Sequence, residues 1–253
     1  MRHKLWTPIG IGAAGIVASG IVLGQRRARL RALRVDPFAD YVTRFRLSHE
    51  ALRRNLRRFI ALAEGSERFD GRAFGDFVRL YGRFLTVHHE SEDRVIFPTL
   101  RRYGRLRSTD AAHLDRWGSE HHSVNAAAEA LGRVGEHLPG GGPKARLDVV
   151  RASKELDTLL EPHLASEEEL FTPSHLAEIV PAKAIGEIER QSRRLFGRER
   201  EIPLFFAHSL HADEQKQVFA SAPWIIRRVI FPLMDRRAFP RFRDFAVSPM
   251  IDA

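Results

Sequence analysis

From residue 36 onward, apolar positions recur at steps of three and four, the period of a helix that buries one face. Asp36-Pro37 opens a first segment with an acidic cap and a proline at the first helical position. Leu47, Leu52, Leu56, Phe59 and Ile60 line one face of it, to about Gly65. Asp70 caps a second segment that buries Phe74, Phe77, Val78, Tyr81, Phe84 and Leu85 and ends near Gly104. Ser108-Thr109-Asp110 starts a third, which runs to about His137. After the break Pro139-Gly140-Gly141-Gly142-Pro143, a fourth runs from about Lys144 to Phe171. Pro181 opens a further helix to about Arg198, and residues 212–237 suggest one more. Strand patterns are absent. Four long amphipathic segments on short connections predict an all-α fold, an up-down-up-down four-helix bundle over residues 36–175. Residues 176–253 are expected to form a helical C-terminal extension.

The first 35 residues differ in kind. Residues 5–24 carry no charge, and twenty residues of helix span about 30 Å, the thickness of a bilayer core. Residues 25–35 form a basic linker. This pattern predicts an N-terminal transmembrane helix, and its rival is a cleaved signal peptide with Ala18-Ser19-Gly20 as the cleavage site. Five arginines after the span against two basic residues before it favour a retained single-pass anchor with the bundle on the cytoplasmic side.

Composition narrows the function. The chain has 253 residues, 43% of them hydrophobic, enough for one full core with appendages. It has no cysteine, which excludes disulfides, thiolate metal sites and a cysteine nucleophile. Any metal must be held by nitrogen and oxygen donors, which suit iron, manganese or zinc. The net charge of +9 invites a nucleic-acid reading, but residues 1–34 hold seven Lys or Arg and no acid. Residues 35–253 are nearly balanced, with 34 basic and 32 acidic side chains. A second basic cluster, Arg227, Arg228, Arg236, Arg237, Arg241 and Arg243, lies near the C-terminus. It suits either an anionic membrane surface or a solvated face. No nucleic-acid fingerprint accompanies either cluster, so nucleic-acid binding is not expected. HExxH, P-loop and G-x-S-x-G motifs are missing too.

The candidate chemistry lies in two echoing motifs. His88-His89-Glu90-Ser91-Glu92-Asp93-Arg94-Val95-Ile96-Phe97-Pro98 and His163-Leu164-Ala165-Ser166-Glu167-Glu168-Glu169-Leu170-Phe171-Thr172-Pro173 each place a glutamate four residues after a histidine and a proline ten after it. On a helix, positions four apart share a face roughly 6 Å apart, so an imidazole and a carboxylate reach one point. His49 continues the inward stripe of the first helix through Leu52, Leu56 and Phe59. His121 leads to Val124, Ala128 and Leu131, whereas His122 leads to Asn125 and Glu129, which favours His121 as the inward residue. Leu156, Leu159 and Leu160 lead to His163, Glu167 and Phe171. Any one buried histidine is readily explained by a hydrogen bond. Four with two carboxylates are costly unless they are paired or bind metal.

Ser48-His49-Glu50, His88 to Pro98, Glu120-His121-His122 and His163 to Pro173 resemble the hemerythrin/HHE cation-binding family over about 140 residues. The resemblance implies a four-helix bundle around two non-haem iron ions, held by histidines and bridged by carboxylates. His49 and His88 would bind one iron, His121 and His163 the other, and Glu92 and Glu167 would bridge. The invertebrate oxygen carriers of that family have two histidines four apart in the third helix, but here Trp117 stands four before His121. The second iron is therefore short of a ligand. His89, His122, Asp93 or solvent could fill the gap. His113, His137, His175, His208 and His211 fit no inward stripe and read as surface or tail residues.

Three functions follow. The leading one is a di-iron protein that binds or senses oxygen, peroxide or nitric oxide. The second is a di-iron enzyme, either an oxidase or one that disproportionates peroxide. A ferritin-like oxidase would need Glu-x-x-His, and no glutamate here has histidine three residues later. The third is a metal-free adaptor bundle.

Overall fold

The computed structural model describes residues 36–65, 70–140, 142–199, 201–220, 226–245 and 247. The expected span 5–24 and linker 25–35 lie outside them. Among the described residues no helix is long and apolar enough to cross a membrane, and there is no strand.

The chain begins with α1 (Pro37–Glu64) and α2 (Gly71–Ser91). Asp70 caps α2, accepting from the amides of Arg72 and Ala73 at 2.9 and 3.2 Å. A π-helical turn, Glu92–Ile96, carries α2 into the short α3 (Phe97–Tyr103). Two further long helices follow, α4 (Ser108–Glu136) and α5 (Gly142–Leu170). Helix α4 starts at Ser108 as expected, and Asp110 in its first turn accepts from the amide of Arg107 at 3.0 Å. Helix α5 starts at Gly142, two residues earlier than expected, and Gly142 has a positive φ of 55°, a left-handed conformation that a side chain would resist.

The long helices form a bundle in which α2 packs on α4, α4 on α5 and α5 on α1. Their short connections make each run back along its predecessor. Helices α2 and α4 cross closely where two glycines meet. A Cβ on Gly75 would stand 2.3 Å from the carbonyl oxygen of Gly135, so no larger residue fits.

Contact between α1 and α2 is sparser, and the extension fills that side. It comprises α6 (Pro173–Ile179), α7 (Ala182–Phe196), α8 (Glu201–His208), α9 (Ala212–Phe219), a second π-turn (Ile226–Ile230) running into α10 (Phe231–Ala238), and a 3-10 turn (Pro240–Phe245). The single helix expected over 212–237 is thus two described segments. Phe205, Phe242 and Phe245 stack around Phe77 with ring centroids 5.2–5.6 Å apart. Each such buried ring contributes about 1.5–3 kcal/mol. Asn55 on α1 also donates to Ser209 at 2.7 Å. Leu159, expected inward, is instead 43% exposed.

Two apolar clusters result. One holds Leu52, Phe59, Tyr81 and Leu160, the other Phe45, Phe97, Trp117 and Phe171. Between them, on all four long helices, lies a polar layer.

Candidate metal centre

The polar layer is built from one histidine of α1, two of α2, one of α4 and one of α5. Two carboxylates join them. Glu92 stands four residues after His88 and three after His89, so a single carboxylate neighbours both imidazoles. It opens the π-turn, in which the Phe97 amide reaches back to the Glu92 carbonyl. Pro98 lacks the N–H that a regular helix would give to Arg94, and π-turns of this kind recur at functional sites. The proline of the other motif acts differently. Pro173 starts α6 after a break, with Thr172 as its cap.

His49, His88, Glu92 and Glu167 present donor atoms within 4.8 Å of one another, and so do His89, Glu92, His121 and His163. The two sets share Glu92. Its Oε1 lies 3.2 Å from His88 Nε2, and its Oε2 lies 3.4 Å from His121 Nε2. Glu167 repeats the pattern, with Oε2 3.5 Å from His49 Nε2 and Oε1 3.5 Å from His163 Nε2. Each carboxylate therefore turns one oxygen to each imidazole set. Donors bonded to one ion at about 2.1 Å stand about 3.0–3.4 Å apart, close to these separations.

The Nε2 atoms of His49, His88, His89, His121 and His163 and both oxygens of Glu92 and Glu167 are buried without a hydrogen-bond partner. Buried polar atoms are normally paired, so nine orphans at one point fit a cation. The far sides of four of the five rings are satisfied. Nδ1 of His49 lies 2.8 Å from Glu168, that of His89 2.8 Å from Asn125, that of His121 2.9 Å from Asp93 and that of His163 2.9 Å from Glu120. Carboxylates and amides on Nδ1 fix the ring and its tautomer and leave Nε2 to the metal.

Of the three residues that could have completed the second set, only His89 enters it. His122 is exposed and lies 3.1 Å from the Gly118 carbonyl. Asp93 is exposed and acts through His121. Glu120, Asn125 and Glu168 had no single-helix spacing to reveal them, since each meets a histidine on another helix. His208, expected on the surface or in the tail, is buried, paired with Asp235 at 2.6 Å and stacked on Phe239.

Burial, reinforced by neighbouring imidazoles, holds His88 and His89 well below the ordinary histidine range. Burial and then the charges of Glu167 and Asp93 push Glu92 well above the usual carboxylate range. Burial opposes a charge on His121 too, but Asp93 and Glu167 outweigh it and raise this histidine. Without a cation the depressed values leave His88 and His89 neutral, with lone pairs free.

The family model of the hemerythrin HHE cation binding domain matches residues 40–174. No curated protein and no solved structure matches the chain significantly.

Proposed function

Given that the chain belongs to the hemerythrin HHE cation-binding family, we propose that its buried layer holds two non-haem iron ions and binds or senses oxygen, peroxide or nitric oxide. The observation that carries this reading is the way Glu92 and Glu167 each turn one oxygen to each imidazole set. His49 and His88 would hold one ion, His89, His121 and His163 the other, and the two glutamates would join them. Iron held there would supply ligand exchange and redox chemistry suited to a diatomic molecule or peroxide. The His49/His88 set has two imidazoles against three in the other, so an exchangeable ligand would be expected on that side. Phe45, 4.3 Å from His49 between ring centroids, and Phe171, edge-on to Phe45, are buried and give this side an apolar wall. A metal-free adaptor would leave nine buried atoms unpaired, at about 1–3 kcal/mol each.

The proposal extends to location. Residues 5–24 would cross a membrane once, with residues 36–175 as a cytoplasmic bundle and residues 176–253 as its extension. The uncharged length and the five following arginines support this, and diffusible gases would reach a sensor so placed.

Metal analysis with an optical spectrum of protein purified anaerobically and then oxidised tests the centre. Two irons per chain with near-ultraviolet charge-transfer bands are expected. Saturation at one ion would refute the dinuclear reading, and zinc without such bands would refute iron.

A further inference from the structure

Helix α10 and the π-turn before it form one continuous helical stretch whose two sides differ sharply. Its inner side is fixed to the core: Phe231 and Met234 pack against the larger apolar cluster, and Asp235 pairs with His208. Its outer side carries Val229, Ile230 and Leu233, which are 38%, 39% and 49% exposed. Steps of three and four from these residues reach Arg236 and Arg237, so the same outward face ends in two exposed guanidinium groups. Arg228, also exposed, flanks it.

Soluble proteins scatter exposed apolar side chains singly, and a contiguous group beside one sign of charge marks a contact surface. Only five large hydrophobic side chains are this exposed among the described residues, and three of them are these. The helix's one acid, Asp235, is turned inward to His208. Among the described residues, none of Arg228, Arg236 and Arg237 forms an ion pair. The face is therefore apolar and cationic, with no acid paired to it among the described residues.

We propose that this face lies on an anionic lipid bilayer, with Val229, Ile230 and Leu233 at the acyl boundary and the arginines on the lipid phosphates. Long guanidinium side chains reach the headgroup level while their stems stay in apolar surroundings. A helix with large apolar residues and arginines on its outer face matches the interfacial kind that lies in the plane of the membrane. The proposal does not depend on residues 5–24 crossing the bilayer, because it concerns a separate part of the chain.

The absence of cysteine allows one thiol to be introduced at will. Full-length Leu233→Cys carrying a polarity-sensitive fluorophore is mixed with vesicles of phosphatidylcholine, with or without phosphatidylglycerol. Leu147→Cys, exposed on α5, serves as the reference site. A blue shift at position 233 alone, quenched by spin-labelled acyl chains and present only with phosphatidylglycerol, is expected. Each arginine near such a surface is worth about fivefold in partitioning, so Arg228→Ala, Arg236→Ala and Arg237→Ala together should weaken the response about a hundredfold. No shift, or an equal shift with neutral vesicles, would overturn the proposal. So would the same shift with heparin, which would mark a general polyanion site, or a concentration-dependent shift without lipid, which would mark self-association. Vesicle attachment through residues 5–24 with no shift at 233 would leave the anchor standing and refute this surface.

Discussion

His89 and His121 lie face to face, their ring centroids 4.1 Å apart and their planes 11° from parallel, although they belong to α2 and α4. The contact explains how the second donor set is completed. One turn before His121 stands Trp117, fully buried, with its indole donating to Ser166 at 2.7 Å. That position faces inward but offers no metal donor. The missing imidazole comes from the neighbouring helix, where His89 also stands 5.4 Å from the His163 ring.

His89→Ala should therefore remove a ligand rather than a spectator. Iron content is expected to fall from two per chain towards one, with the fold intact by circular dichroism. His122→Ala, at an exposed position, should leave the content unchanged. Equal iron in both variants would return His89 to a supporting role.

The sequence disclosed the bundle and the inward stripes because both depend on local periodicity. The buried residues Phe74, Phe77, Val124 and Leu131 fall where steps of three and four put them. It left His89 open because a neighbour of His88 can face either of two helices, and only the packing of α2 on α4 decides which. The partners of the rings were hidden for the same reason. Glu120 serves His163 and Glu168 serves His49 across helix boundaries. Leu159 misled because the fourth helix narrows its buried stripe there, leaving Leu156 and Leu160 to carry the core.

Glu120→Gln tests the outer support of His163. The carboxylate oxygen 2.9 Å from Nδ1 holds the ring and fixes its tautomer. Loss of that charge should weaken metal binding about 10–100-fold, read by competition with a chelator, with little change in thermal stability of the metal-free protein. An unchanged affinity would mean that packing alone orients His163.

Tyr41 and Tyr81 offer a matched comparison. Both phenols are buried without a hydrogen-bond partner. Burial raises both above the ordinary range, Tyr41 with further help from the nearby charge of Glu92. Removing an orphaned hydroxyl should stabilise either Tyr→Phe variant by about 1 kcal/mol. Only Tyr41 continues the stripe of Phe45 and His49 at steps of four. Tyr41→Phe should accordingly change the rate at which the iron-loaded protein releases its ligand, while Tyr81→Phe should not. Identical release rates would separate the Tyr41 phenol from the ligand.

The last prediction concerns pH and metal removal. His88 and His89 have folded values depressed by burial and then by neighbouring imidazoles. Their contribution is complete above the unfolded value near 6.5 and is lost as pH falls towards the folded values. His121 has the opposite sign. Burial disfavours its charge, but Asp93 and Glu167 raise its folded value, so its contribution is complete below 6.5 and is lost as pH rises through that value. Glu92, raised by burial and then by Glu167, adds a loss of stability that sets in as pH rises past its unfolded value near 4.5. In metal-free protein these slopes oppose one another, and two depressed histidines outweigh one raised glutamate below 6.5. Stability should therefore pass through a maximum near the ordinary histidine value and decline on both sides. Metal binding requires Glu92 and His121 to give up their protons, so loaded protein should escape the alkaline decline. Thermal melts with and without chelator should diverge as pH rises from 6.5 to mildly alkaline values. Parallel curves would show that these four side chains are not linked to metal binding.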